Sequence, residues 1–108
     1  MPLLKIFTAG KALSVPVSTL HPALMKIWSV PAGVLKVLVL PALDMSGEED
    51  IFIDVRAKAK PERTQAVVDT AMKDTSSLFS QHGYRANIRV ELYEPSLQST
   101  LLTPKASL

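Results

Sequence analysis

The sequence predicts an α+β fold built from two β-α-β units, giving a four-stranded mixed sheet with two helices on one face. Three observations carry this expectation. Strand-like runs occur four times, at Leu3 to Thr8, Val34 to Leu40, Ile51 to Lys58 and Asn87 to Tyr93. Between the first and second, and again between the third and fourth, apolar residues recur at helical spacing. Both halves open with a strand and place a basic residue ahead of the helix, which points to a pseudo-twofold duplication.

Each element has its own signal. Leu3 to Thr8 is β-favouring and closes on Ala9-Gly10 as a turn. Leu20, Ala23, Leu24, Ile27 and Trp28 fall at i, i+3, i+4, i+7 and i+8 of a first helix, with Ser18 as its N-cap and Pro22 tolerated in the first turn. Val30-Pro31 ends it, since the residue before proline is pushed out of the α region. Val34 to Leu40 is nearly all apolar, as in a strand buried on both faces of a partly parallel sheet, and Pro41 stops it. Asp44 to Asp50 is an acidic connector containing Gly47.

In the second half, Ile51, Ile53, Val55 and Ala57 share one face of a strand, with Phe52, Asp54, Arg56 and Lys58 on the other. Pro61 suits the first position of a second helix, whose stripe Val67, Val68, Ala71, Met72, Thr75, Leu78 and Phe79 runs down to Gly83 at the C′ position. Asn87 to Tyr93 alternates as a half-buried strand. Right-handed crossovers put both helices on one face, so the other face needs a cover, which in a short chain is another copy of itself. The expected division is a domain over residues 1–94, with pseudo-repeats 2–43 and 51–94, followed by a tail or subunit-contacting arm over 95–108.

Composition narrows the function classes. The 108 residues have room for one modest core. Twelve basic against ten acidic side chains leave a net charge of +2, too little and too evenly spread for a nucleic-acid or anionic-membrane surface. The longest apolar stretch, Val30 to Leu43, is interrupted by Pro31, Lys36 and Pro41 and falls short of the roughly 20 residues of a membrane span. No charged segment followed by an apolar core marks an export signal, so a cytoplasmic location is expected. The absence of cysteine excludes disulfides, a thiolate nucleophile and thiol-bound metal. His21 and His82 lie far apart, without partners at ligand spacing, so neither a metal site nor a cofactor is expected.

The residue with the sharpest chemical implication is Pro2, at the head of the first strand. If Met1 is removed, Pro2 becomes a secondary amine with an intrinsic pKa of roughly 7.7 to 8, and burial beside cations lowers such a value toward the working pH. That is a general base; with Met1 attached, the same nitrogen is an amide without basicity. Proline is also well tolerated at the start of a strand for purely structural reasons.

Pro2, a β-α-β unit of this length, and Lys36 five places beyond Pro31 together resemble the tautomerase superfamily, which includes 4-oxalocrotonate tautomerase, macrophage migration inhibitory factor and 5-carboxymethyl-2-hydroxymuconate isomerase. Pro31-Ala32-Gly33-Val34-Leu35-Lys36-Val37 looks like the family's Pro-led approach to the second strand, where 4-oxalocrotonate tautomerase has a catalytic arginine. Ser14-Val15-Pro16 looks like the corresponding stretch of macrophage migration inhibitory factor. Phe52-Ile53-Asp54-Val55, then Lys58 and Glu62-Arg63-Thr64, resembles the second half of the hydroxymuconate isomerase. The resemblance covers about residues 2 to 95. Two departures stand out: a lysine at position 36, and Lys11 where an arginine is usual.

The resemblance implies a tautomerase or isomerase that shifts a proton on a small carboxylated enol or keto acid, assembled as a homotrimer with the pocket between subunits. Pro2 is then the general base and Lys36 the group that polarises the carbonyl or pairs with a carboxylate. Arg63, placed at the start of the second helix, joins Lys11 and Lys60 in a carboxylate-binding ring. Arg56 and Tyr93 line the pocket. Alternatives stand beside these roles: Lys36 snorkelling to water, Arg56 pairing with Asp54 or Glu91 across the sheet, and Arg63, Lys11 and Lys60 as solvated charges. The same cationic constellation also suits decarboxylation or hydration. From other classes, the sequence allows a non-catalytic oligomeric small-ligand-binding protein of this fold, or an unrelated ferredoxin-like domain.

Overall fold

Alternation along two central strands decides which way the sheet faces. In the computed structural model, which describes residues 2–10, 12–31 and 33–106, the chain runs β1 (Leu3–Ala9), α1 (Val17–Ile27), β2 (Lys36–Ala42), β3 (Ile51–Lys58), α2 (Gln65–Gln81) and β4 (Ala86–Tyr93), then a single 3-10 turn at Pro95–Leu97. The sheet order is β2-β1-β3-β4. β1 and β2 are parallel, β3 and β4 are parallel, and β1 meets β3 antiparallel. This is the four-stranded mixed sheet with two helices that the residue pattern predicts.

Leu4 and Ile6 of β1 and Ile51, Ile53 and Val55 of β3 are buried in one cluster with Leu20 and Leu24 of α1 and Ala71 and Phe79 of α2, so both helices cover the same face. Val37 and Val39 of β2 and Ile88 and Val90 of β4 join the cluster's margin. A buried polar contact ties the two β-α-β units together: Trp28 Nε1 donates to Thr75 Oγ1 at 3.1 Å, and Thr75 Oγ1 donates to the Ala71 carbonyl at 2.7 Å. The opposite sheet face is uncovered. It carries Leu3, Lys5 and Phe7, Leu38 and Leu40, Phe52 and Asp54, all only half-buried.

Both helices end in the same device. After α1, Ser29 N–H bonds the Lys26 carbonyl and Val30 N–H the Met25 carbonyl; after α2, Gly83 N–H bonds the Ser80 carbonyl and Tyr84 N–H the Phe79 carbonyl. These are paired Schellman closures, which require a left-handed residue at C′. Gly83 supplies it with φ of 85°, and Ser29 with φ of 52°.

Several expectations need correction. α1 starts at Val17 behind Pro16, not at a Ser18 cap, so Pro22 sits well inside the helix. Pro22 and Ser18 are both exposed, which leaves the Ser18 carbonyl, deprived of its usual N–H, open to water. β2 spans Lys36–Ala42 rather than 34–40 and includes Pro41. It is an edge strand, where a residue without N–H is tolerated, and it is half-exposed rather than buried on both faces. α2 begins at Gln65, capped by Thr64, whose Oγ1 accepts from Val67 N–H; Pro61 lies in the turn before it, and Val67 of the expected apolar stripe is exposed.

Candidate functional site

The head of β1 is where the sheet register gathers the candidate residues. Leu3 pairs with Lys36 on β2 and with Arg56 on β3, so these three side chains stand abreast on the uncovered face. Tyr93, at the end of β4, pairs with Lys58 and completes this end of the sheet. Leu3, Lys36, Arg56 and Tyr93, together with Gln98 and Thr100, line a cavity of about 480 Å³. Two cations, one aliphatic side chain and one phenol therefore converge on one hollow.

Pro2 directly precedes Leu3 and is itself buried. Its carbonyl accepts the Lys36 backbone N–H at 3.0 Å, extending the β1–β2 ladder to the first described residue. Arg56 does not pair with Asp54, one of the two partners, with Glu91, weighed for it from sequence: its guanidinium lies 5.9 Å from the Tyr93 ring centroid, in cation–π range. Asp54 belongs to Arg89, whose Nε and Nη2 meet the two carboxylate oxygens at 3.4 Å each. The hydrogen bond from Arg89 to Asp54, with the carboxylate's charge, raises the guanidinium pKa above its ordinary value. Arg89 also lies over the Phe52 ring at 5.7 Å.

The remaining candidates stand elsewhere. Lys60 and Arg63 occupy the turn between β3 and α2, and neither lines the cavity. Arg63 is not in the first turn of the helix: its backbone N–H bonds the Lys60 carbonyl at 3.0 Å, and its Nη1 donates to the Lys58 carbonyl. That bond folds the side chain back along the end of β3. Lys11 lies outside the described residues.

Sequence reasoning missed Leu3, Gln98 and Thr100. Leu3 was recoverable from its place beside Pro2. Gln98 and Thr100 carry no local signal; the tail brings them back over the cavity after the Pro95–Leu97 turn, and Gln98 Nε2 donates to Thr100 Oγ1 at 2.7 Å. Other hollows, of about 400 and 440 Å³, lie at the far end of the sheet around Asp50, Gly83 and Tyr84. Among the described residues no group of three or more His, Cys, Asp or Glu could hold a metal ion, and no helix is long and apolar enough to cross a membrane.

No protein-family model matches the chain, and no curated protein matches it by sequence. Solved structures do match. The fold superposes on FG41 malonate semialdehyde decarboxylase inhibited by 3-bromopropiolate with a TM-score of 0.72 and 16% identity, covering 94% of this chain and 91% of that one. Macrophage migration inhibitory factor from Oncomelania hupensis gives 0.70 and 20% identity over 94% of this chain and 78% of that one. A 5-carboxymethyl-2-hydroxymuconate delta-isomerase gives 0.61 and 13% identity over 95% and 89%. The fold is thus the one shared by tautomerase-superfamily proteins, and the resemblance read from the sequence holds at the level of fold.

Proposed function

We propose that this protein is a tautomerase or isomerase that moves a proton on a small carboxylated enol or keto acid, with Pro2 as general base once Met1 is removed. The observation that carries the reading is the alignment of Lys36, Leu3 and Arg56 in one cavity at the head of β1, next along the chain to Pro2, which is buried and does not itself line that cavity. A proline nitrogen freed there would take a proton from carbon beside a carbonyl, leaving an enolate, and return it at another carbon. The substrate is isomerised with no other reactant. Lys36 and Arg56 would hold the substrate carboxylate and the enolate oxygen as charge develops, a preorganised electrostatic contribution. Leu3 and the Tyr93 ring would limit water.

The assembly is proposed as a homotrimer. Leu38, Leu40, Phe7 and Phe52 on the uncovered face are half-buried without a second layer, and a sheet needs cover on both sides to bury its apolar surface. Leu97, Leu101 and Leu102 of the tail are almost fully exposed, which suits an arm over residues 95–108 lying on a neighbouring subunit. Lys60 and Arg63 would serve a site only as contributions across such an interface.

The test is an intact mass of the untagged protein to establish Met1 removal, followed by ketonisation of phenylpyruvate and of 2-hydroxymuconate and a decarboxylation assay on malonate semialdehyde. Ketonisation by the processed form supports the proposal. Decarboxylation alone moves it to a different reaction on the same site, and carboxylate binding without turnover of any substrate replaces it with a non-catalytic ligand-binding role.

A further inference from the structure

We infer that His21 is a positioning residue for Pro2, acting through the single peptide group between Leu35 and Lys36; the inference rests on the catalytic reading of Pro2 above. His21 Nε2 lies 2.9 Å from the Leu35 carbonyl oxygen. A carbonyl oxygen can only accept, so Nε2 carries the proton and donates. The N–H of that same peptide group is the Lys36 N–H, which donates to the Pro2 carbonyl at 3.0 Å. One rigid, planar unit is therefore held at its oxygen by helix α1 and holds, at its nitrogen, Pro2, the residue just ahead of β1.

The chain's beginning is where such a brace matters. A terminal residue frays unless it is tied down, and after loss of Met1 a Pro2 base has only one covalent neighbour along the chain. Its carbonyl bond to Lys36 and its burial are what fix the ring. Misplacing a base relative to substrate costs far more rate than affinity, because the benefit of orientation appears only when the reacting atoms are aligned. His21 also polarises the Leu35–Lys36 peptide, since an amide that accepts at oxygen becomes a better donor at nitrogen. It stands on α1, outside the set of residues that line the cavity, so it acts on the reaction only through this relay.

The test uses His21→Leu, which removes the donor, and His21→Gln, whose side-chain amide restores one. Amide hydrogen exchange at Lys36, read by NMR on the full chain, needs no activity. His21→Leu should speed it at least tenfold relative to the core amides of β3, with recovery in His21→Gln. With phenylpyruvate, His21→Leu should lower kcat about tenfold while KM stays within twofold, again recovering in His21→Gln. Unchanged Lys36 exchange in His21→Leu overturns the relay. Faster exchange with an unchanged kcat in a turning-over wild type overturns the positioning role. A wild type without any turnover removes the catalytic reading of Pro2 and this role with it, while the exchange measurement still reports separately whether His21 braces the peptide.

Discussion

Lys36 and Arg56 stand on opposite sides of β1, each in register with Leu3, so their backbones are two strand spacings, roughly 10 Å, apart across the cavity floor. Two long cationic side chains at that separation can converge on one carboxylate or take the two ends of a short dianion. Charge-assisted bonds of this kind contribute about 1.5–3 kcal/mol each. Lys36→Ala and Arg56→Ala should therefore each raise KM for a carboxylated substrate by about tenfold or more, as read by steady-state kinetics beside the corresponding methyl ester. The same loss with the ester would return both residues to a structural role.

The Trp28–Thr75 bond gives a stability prediction independent of function. Thr75→Val keeps the shape but leaves the indole N–H of a buried Trp28 without its acceptor, which costs about 1–3 kcal/mol. Urea unfolding followed by fluorescence of Trp28, the chain's one tryptophan, measures it directly. An unchanged midpoint and slope would mean that water replaces the threonine hydroxyl.

Ser29 occupies after α1 the left-handed position that Gly83 fills after α2. An L residue there pays for its Cβ, so Ser29→Gly should stabilise the protein by about 1 kcal/mol. Thermal unfolding is the check. A lower Tm would show that flexibility gained by the unfolded chain outweighs the relief of strain.

Arg89 and Asp54 form a pair on the uncovered face, with side chains 59% and 13% exposed. The folded-state pKa of Arg89 is raised above its unfolded value, so its contribution is fully present below the ordinary arginine range and is lost only as pH rises beyond it. Arg89→Ala should shift the unfolding midpoint by the same small amount at every pH from about 6 to 9. A loss that grows across that interval would contradict the assignment.

How much of this was legible follows from which signals are local. β3 was read with its bounds because Ile51, Ile53, Val55 and Ala57, all buried, alternate strictly with half-buried or exposed neighbours. β2 was misread because Val34 and Leu35 continue the apolar run before the ladder begins, and because Pro41 looks like a stop anywhere except an edge. α1 hid its start because Pro16 makes no side-chain cap, leaving Ser18 as the visible candidate. In the site, Lys36 and Arg56 were recognisable as strand cations, but their meeting through Leu3 depends on register, which one strand alone does not encode. Gln98 and Thr100 reach the cavity by tertiary return of the tail, for which no periodicity exists.

Replacing the secondary ring amine by the primary amine of an unconstrained glycine, while keeping a processed, free N-terminus, addresses the account most directly: phenylpyruvate ketonisation by Pro2→Gly against wild type, with loss of Met1 verified in both. General-base catalysis contributes about 10²–10⁴-fold, and a flexible glycine amine no longer held by a ring keeps only part of it, so the account predicts a fall in kcat of about tenfold or more with the fold retained. Equal turnover in the two proteins would contradict it.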